Sequence, residues 1–297
     1  MNMDPLVIRD LLIWIAYALG SAILIGFVPT WMRCGAKRAD PSAAAALFAL
    51  VLSGACVASA VWKGNAAALL SFDARTYGYL ALCGLLSAFV WLCLFTALTG
   101  GLVGKVFPVF VLWNLLYMTA SHFLFGTSLG LWKICCIVLI LLGVVFIESR
   151  TPNLKGQLWF VYALLAALAA AGAGLLRRGT LGEEFDETLF QAGRSVSACV
   201  ILWIFVFARG RHRALGEMGA RAWVGVPMAA LSLAGSYACD YLASLRGDWS
   251  ILSPIAVLAF AFMMLFARIF QKEKQPGSAV FGTVLVLLGQ FAILMGF

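Results

Sequence analysis

The chain has few of the residues that make a water-facing surface. Only 11% of its 297 residues are charged, 13 are acidic, and the only histidines are His122 and His212. An average soluble protein carries about 25% charged residues. A soluble globule of this length is excluded, because too little polar surface exists to cover it. No Cys-x-x-Cys pair occurs. Cys56, Cys83, Cys93, Cys135, Cys136, Cys199 and Cys239 all lie within apolar stretches. Such thiols pack as small hydrophobes, and neither a zinc site nor a disulfide framework is expected. A Gly-x-x-x-x-Gly-Lys-Ser/Thr phosphate loop is absent too, and no cofactor is expected. Paired Asp-x-x-x-Asp acids, which a membrane enzyme acting on lipid or prenyl substrates would need, are also missing.

Apolar residues make up 63% of the chain, and the mean hydropathy is +0.99. A membrane-spanning helix needs about 20 apolar residues. Ten such segments are expected, at 6–31, 42–62, 77–98, 102–123, 130–148, 156–177, 188–208, 222–245, 250–270 and 277–297. The first is too long for a signal-peptide core, and no small-residue cleavage site follows it. The breaks carry turn and charge signals such as RCGAKRADP, ESRTPNLKG and QKEKQPG. The net charge of +8 reads as loop Lys and Arg setting topology rather than as a nucleic-acid surface, since no basic run is interleaved with aromatics.

The chain is internally duplicated. Trp14, Tyr17, Ala18 and Leu19 in WIAYAL recur 145 positions later as Trp159, Tyr162, Ala163 and Leu164 in WFVYAL. At an offset of 146, Gly101 falls on Gly247, Pro108 on Pro254, and the Leu-Leu-Gly ending at Gly143 on the one ending at Gly289. The expected halves are residues 1–150 and 151–297, with five helices each. Five is odd, so the second copy enters the membrane from the other face. An all-α integral membrane fold of ten transmembrane helices in two inverted five-helix repeats follows. That is an architecture of secondary transporters, with the solute site near the midplane between the repeats.

The stretch GLLSAFVWLCLFTALTGGLVGKVFPVF resembles the third and fourth helices of the EamA-type drug/metabolite transporter superfamily. LLGVVFIE and LLGQFAIL resemble the family's Gly-containing fifth and tenth helices. Arg194 in LFQAGRSVSA resembles the Arg that often begins a repeat's second helix. Many relatives end the fourth and ninth helices with Leu-Gly-Glu. Here FGTSLG and FQKEKQ stand in those places, so the first Glu is missing and Glu273 is a displaced equivalent. The resemblance implies a central cavity lined by helices 1, 3, 4, 6, 8 and 9, alternating access, and a multi-pass protein of the bacterial cytoplasmic membrane.

Orientation is drawn two ways. With a cytoplasmic N-terminus, the inside flanks carry Arg9, Lys63, Arg75, Lys133, Arg177, Arg178, Arg194 and Arg246. The remaining Lys and Arg, the larger share of the 21, fall on the other side. The positive-inside bias therefore favours both termini outside, whereas the resemblance implies both inside.

Asp240 is the first candidate site residue. It is a carboxylate in a long apolar segment, where an acid is costly unless it faces a polar cavity or a partner. Tyr237, Asp240, Tyr241 and Ser244 share one helical face. The residue that matches Asp240 in the first repeat is Leu94, so the acid is an asymmetric addition to a symmetric frame. It can serve as counter-ion to a cationic solute, as a proton acceptor, or as a buried acid satisfied by neighbouring hydroxyls.

Aromatic faces are the second group: Trp14 and Tyr17 with Ser21, Trp159 and Tyr162, Trp91 and Phe95 with Ser87, and Asn114 and Tyr117 with Phe110. Ammonium groups sit well over such rings. Trp14 and Trp159, close to their helix starts, also suit an interfacial belt. Pro108 and Pro254 are candidate hinges. Small residues at 282, 289 and 296, and at 166, 170 and 174, allow close helix contact and a possible homodimer surface. The acids Glu183, Glu184, Asp186 and Glu187 read as a solvated loop, and Arg246 with Asp248 as a surface pair.

The expected function is secondary active transport of a small cationic or zwitterionic solute, such as an amine, a choline-like compound or an amino acid. Coupling would be to a proton or solute gradient. A lipid or lipid-linked sugar flippase on the same fold is the alternative. Membrane lipid is the expected surround, and no nucleic-acid partner is expected.

Overall fold

A computed structural model describes residues 5–37, 39–126, 130–148, 158–182, 185–245, 249–273 and 277–294. Every regular element among them is helical. In chain order these are α1 (Pro5–Ala36), α2 (Pro41–Trp62), α3 (Ala74–Gly100), α4 (Val103–Phe110), α5 (Leu112–Phe125), α6 (Leu131–Glu148), α7 (Leu158–Thr180), α8 (Glu187–Ala208), α9 (Ala220–Ser244), α10 (Trp249–Phe270) and α11 (Gly277–Leu294). Helices α4 and α5 are two parts of one span, broken at Val111, so eleven helices make ten crossings. Seven crossings are long and apolar enough to span a bilayer over their described residues, and three shorter apolar stretches lie in α6, α10 and α11.

Lipid leaves no water to satisfy backbone groups, which is why the spans are helices. The turns between them are set by local chemistry. Asp40 caps α2, its carboxylate accepting from the backbone N–H groups of Ser42 (3.0 Å) and Ala43 (3.3 Å), with Pro41 opening the helix. Asp73 does the same for α3 through the Thr76 N–H at 3.2 Å. Gly126, at φ +68°, ends α5 in the left-handed conformation that glycine adopts without cost.

The helix contacts carry the two-fold pattern of an inverted repeat. In the first half, α1 packs on α9 and α10. Its counterpart in the second half, α7, packs on α3 and on α4–α5. On the symmetry axis each element meets its own copy, α2 against α8 and α6 against α11. Successive crossings alternate in direction. The loops after α2, α5, α7 and α9 thus lie at the face where α1 begins and α11 ends, here called the terminal face. Those after α1, α3, α8 and α10 lie at the opposite face.

Glycine makes the tight crossings possible. A Cβ on Gly143 of α6 would stand 2.5 Å from the Gly282 carbonyl of α11, and one on Gly289 would stand 2.6 Å from Ile140. The small residues of α11 at 282 and 289 are thus spent on α6; position 296 lies outside the described residues. On α7, Gly174 leaves room for the Tyr117 ring, 3.1 Å from where its Cβ would be.

Pro108 sits inside α4, and the span breaks three residues later. The Val111 carbonyl at the break accepts the Asn114 N–H (3.1 Å) and lies 3.5 Å from the Gln290 side chain of α11. The side chain of Pro254, and residues Arg246, Gly247 and Asp248, lie outside the described residues.

Candidate functional site

An open pocket lies between the end of α2, the start of α8 and the last three turns of α9, at the terminal face. Each wall follows from local sequence. On α9, Ala234, Tyr237, Ala238 and Tyr241 stand three, four and seven apart and form one face, where the alanines leave the space between the rings. On α8, Asp186 caps the helix, accepting from the N–H groups of Thr188 (2.8 Å) and Leu189 (3.0 Å). That cap fixes the first turn, which presents Glu187, Thr188 and Gln191 to the cavity. On α2, Cys56, Ser59, Trp62 and Lys63 complete the lining. Gly64, at φ +76°, then turns the chain away.

The lining carries both signs of charge. The Lys63 ammonium sits 3.1 Å from the centre of the Tyr241 ring, touches the Thr188 hydroxyl and lies 4.0 Å from the Asp186 carboxylate. Burial pushes its pKa below the ordinary lysine value, and Asp186 and Glu187 push back. Glu187 accepts from the Gln191 amide at 2.6 Å and pairs with Arg177 at 2.5 Å. Arg194 donates to the Tyr237 hydroxyl at 3.3 Å and to the Gln191 side-chain oxygen, while its buried Nε has no hydrogen-bond partner. Ammonium, guanidinium, carboxylate, amide and two phenol rings therefore converge within two helical turns. Among the described residues no cluster of His, Cys, Asp or Glu could hold a metal.

Only two of the ten candidate residues from the sequence, Tyr237 and Tyr241, line this cavity. Asp240 stands between them in sequence but turns toward α1, where the Ser21 hydroxyl hydrogen-bonds its carboxylate. Tyr17 is half-buried on the same stretch of α1. Trp14 is 3% exposed and packs with Ala18 against Ala243. Trp159 is 5% exposed and packs on Gly101. The belt reading of these two tryptophans is therefore corrected: α1 and α7 are the inner helices of the inverted pair, and they carry their ring faces inward. Trp91 and Phe95 pack edge-on against Phe48 of α2, at 5.4 and 5.8 Å between ring centres, in the apolar core. Leu94 is buried beside them. Asn114 faces Gln290 at 3.5 Å, at the break in the fourth span. Tyr117 packs on α7, and Tyr162 is half-buried against the core.

The acids before α8 differ from expectation only in their setting. Asp186 caps α8 and Glu187 opens it, so they sit at a helix start rather than in a loop, yet both stay solvated as expected, with 37% and 46% of their side chains exposed; Glu183 and Glu184 lie outside the described residues. Lys63, Glu187, Thr188 and Gln191 were missed as site residues because each reads as an ordinary helix-end polar group. The pointer to them was the repeat itself, which sets the second helix of one half against the second helix of the other.

Residues 12–149 and 157–295 each match the EamA-like transporter family. The chain belongs to that family. As an EamA-like transporter of the drug/metabolite superfamily it is a multi-pass membrane protein whose relatives move small solutes. A solved structure titled only as the crystal structure of a protein aligns over 97% of both chains, at TM-score 0.66 and 17% identity, which speaks to the fold alone. No curated protein matches in sequence. The transporter's Glu273 is buried at the opposite face. It pairs with Arg33 of α1 and accepts from the N–H groups of Val103 (3.1 Å) and Gly104 (3.4 Å) at the start of α4. Beside it Gln271 donates to the Thr30 carbonyl at 2.9 Å. Glu273 thus ties the end of α10 to α1 and α4 at the opposite face.

Proposed function

We propose that the protein is a secondary active transporter of a small zwitterionic solute, such as an amino acid or a betaine, working by alternating access. The observation that carries this reading is the pairing of Lys63 with Glu187 across one cavity lined by two tyrosine rings. A solute carboxylate finds the Lys63 ammonium and the Thr188 hydroxyl. A solute ammonium finds Glu187 and the ring faces. Each ring contact with a cation is worth about 0.5–2 kcal/mol. The Lys63 ammonium on the Tyr241 ring already displays the geometry that a bound cation would take. A pocket at the terminal face and a buried ion pair joining helices at the opposite face are compatible with one end-state of alternating access.

Thermal shift of the purified protein with L-leucine, glycine betaine, choline and succinate tests this reading. A zwitterion at a hundred times its dissociation constant adds about 2.7 kcal/mol of stability. Leucine or betaine should stabilise the wild type, and Lys63→Met or Glu187→Gln should abolish the effect. Counterflow of the stabilising compound in proteoliposomes then establishes transport. Stabilisation by succinate alone, or by none of the four, would overturn the zwitterion reading.

A further inference from the structure

Arg194 stands two turns inside α8 with no acid to answer it. Among the described residues no carboxylate pairs with its guanidinium, and its buried Nε has no hydrogen-bond partner. A cation at this depth is costly unless it serves a cavity or a partner. The fold itself does not require one. Asp186, which caps α8, falls on Asp40, which caps α2, at the same offset of 146 that relates the two halves. In that register Arg194, Tyr237 and Tyr241 fall on Phe48, Trp91 and Phe95. The first half closes this helix contact with rings alone, at 5.4 and 5.8 Å between centres. The second half keeps the contact but makes it polar, with Arg194 donating to the Tyr237 hydroxyl at 3.3 Å.

Arg194 reaches the pocket through two residues that line it, Gln191 and Tyr237. A guanidinium only donates, so both side-chain oxygens accept from it. The Gln191 amide nitrogen is thereby turned to Glu187, at 2.6 Å, and both ends of that amide are taken. Tyr237 is left differently. Its oxygen accepts from Arg194, its hydroxyl still has a proton to give, and among the described residues no group accepts it. Thr188 is in the same position, because its hydroxyl accepts from the Lys63 ammonium, which also only donates. Two hydroxyls in one pocket are thus each polarised by a cation, and each keeps a free hydrogen. A hydroxyl that accepts from a cation donates more strongly in turn.

From this arrangement we propose that Arg194 is a positioning residue for the solute's carboxylate. It holds the Tyr237 oxygen as an acceptor and so commits the Tyr237 hydroxyl to donation. Tyr237, Thr188 and the Lys63 ammonium together then take the carboxylate oxygens. The proposal rests on the pocket being the solute site, and it supplies the reason that site selects a carboxylate. Arg194 acts through Tyr237 and touches no solute itself. A site built to donate rejects an analogue that offers no acceptor, because its donors stay unpaired.

Raman spectra of the full-length purified protein test this with acetate, the carboxylate alone. The two components of the tyrosine phenol doublet change their intensity ratio according to whether the hydroxyl accepts or donates. The difference between a protein and its Tyr237→Phe variant isolates Tyr237. That doublet should report an accepting hydroxyl in the wild type and should move toward donation when acetate replaces chloride. Arg194→Met should remove both the accepting signature and the acetate response. A Tyr237 doublet that ignores acetate, or one that Arg194→Met leaves unchanged, would overturn the proposal.

Calorimetric titration carries the test to L-leucine and glycine betaine. Tyr237→Phe should weaken the binding of either by about tenfold or more, the loss of a hydrogen bond to a charged group. It should leave isoamylamine and tetramethylammonium, the same solutes without their carboxylates, at the wild-type level. Arg194→Met should weaken the zwitterions in the wild-type background and add nothing in the Tyr237→Phe background, as a residue acting through Tyr237 must. Equal losses in both backgrounds would make Arg194 a structural residue and overturn the proposal. If Arg194→Met does not fold, Tyr237→Phe still decides, since equal losses for zwitterions and amines would overturn the carboxylate role. If the four-compound thermal-shift panel fails on the wild type while acetate still moves the Tyr237 doublet, the zwitterion reading falls and the carboxylate donor stands.

Discussion

Glu273 and Arg33 form a buried ion pair that joins the end of α10 to α1 at the face opposite the cavity. The same carboxylate accepts from Val103 and Gly104 at the N-terminus of α4, where the helix dipole favours an anion. Breaking such a pair leaves an uncompensated buried charge and costs about 3–5 kcal/mol. Glu273→Ala should lower the melting temperature and raise maleimide labelling of Cys34, the residue after Arg33, in a variant whose only thiol is Cys34. The double variant Arg33→Met/Glu273→Met removes both charges and should recover most of the stability while the labelling stays fast. Slow labelling in both variants would show that the pair does not hold this face closed.

The Lys63–Tyr241 contact sets a second expectation. Tyr241→Leu keeps an apolar wall but removes the ring face, at a cost of about 0.5–2 kcal/mol in cation binding, or about 2- to 30-fold in affinity. Tyr241→Phe keeps the face and loses only the hydroxyl, so it should bind the stabilising zwitterion nearly as the wild type does. Calorimetric titration separates the two. Equal losses in both variants would assign the role to the hydroxyl rather than to the ring.

The ten crossings were legible because each is a long apolar run with turn residues after it, and an unbroken apolar run of that length satisfies its backbone in lipid as a helix. The repeat was legible because WIAYAL and WFVYAL keep one register. The site was less so. Trp91 and Phe95 share a helical face, as their spacing requires, but helical spacing cannot say which neighbour that face meets, and it meets Phe48. Asp240 does neighbour Tyr237 and Tyr241 in sequence, yet it lies about 60° round α9 from Tyr237 and about 100° from Tyr241. That is enough to send the acid to α1 and the rings to α2 and α8. Lys63 and Thr188 lie 125 positions apart in sequence, and only the packing of α2 on its counterpart α8 brings them together.

Asp40 gives the opposite face a pH dependence outside the membrane. Burial pulls its pKa up, but the Ser42 hydroxyl, the Ala43 and Ser42 N–H groups and Arg211 outweigh it, and the net value lies below the ordinary range. A depressed folded value means the carboxylate stabilises the fold above its unfolded value, about 3.9. That contribution is lost as pH falls through the lower folded value. Asp40→Ala removes the cap of α2 and should cost about 1 kcal/mol at neutral pH. The gap between variant and wild type should close as the solution is acidified below pH of about 4. Arg211→Ala should change the melting temperature little, because its 2.6 Å pair with Asp40 is largely in solvent. A gap that stays constant on acidification would mean that Asp40 acts through packing, not through its charge.

The α6–α11 crossing allows the sharpest steric test. A Cβ at Gly143 would lie 2.5 Å from the Gly282 carbonyl and 3.0 Å from the Val286 N–H nitrogen. Both are backbone atoms of α11, so no side chain can rotate away, and the helices themselves must part. Overpacking of this kind costs about 1–3 kcal/mol. Gly143→Ala should therefore lower the melting temperature by more than an Ala substitution at Gly54, where a new Cβ meets nothing within 4 Å. Gly54→Ala should be neutral or stabilising, since alanine is the better helix former by about 1 kcal/mol. The two substitutions add the same methyl group to apolar helices of the same fold. If their effects were equal, the close approach of α6 and α11 would be wrong. If Gly143→Ala alone is destabilising, these two helices meet backbone to backbone.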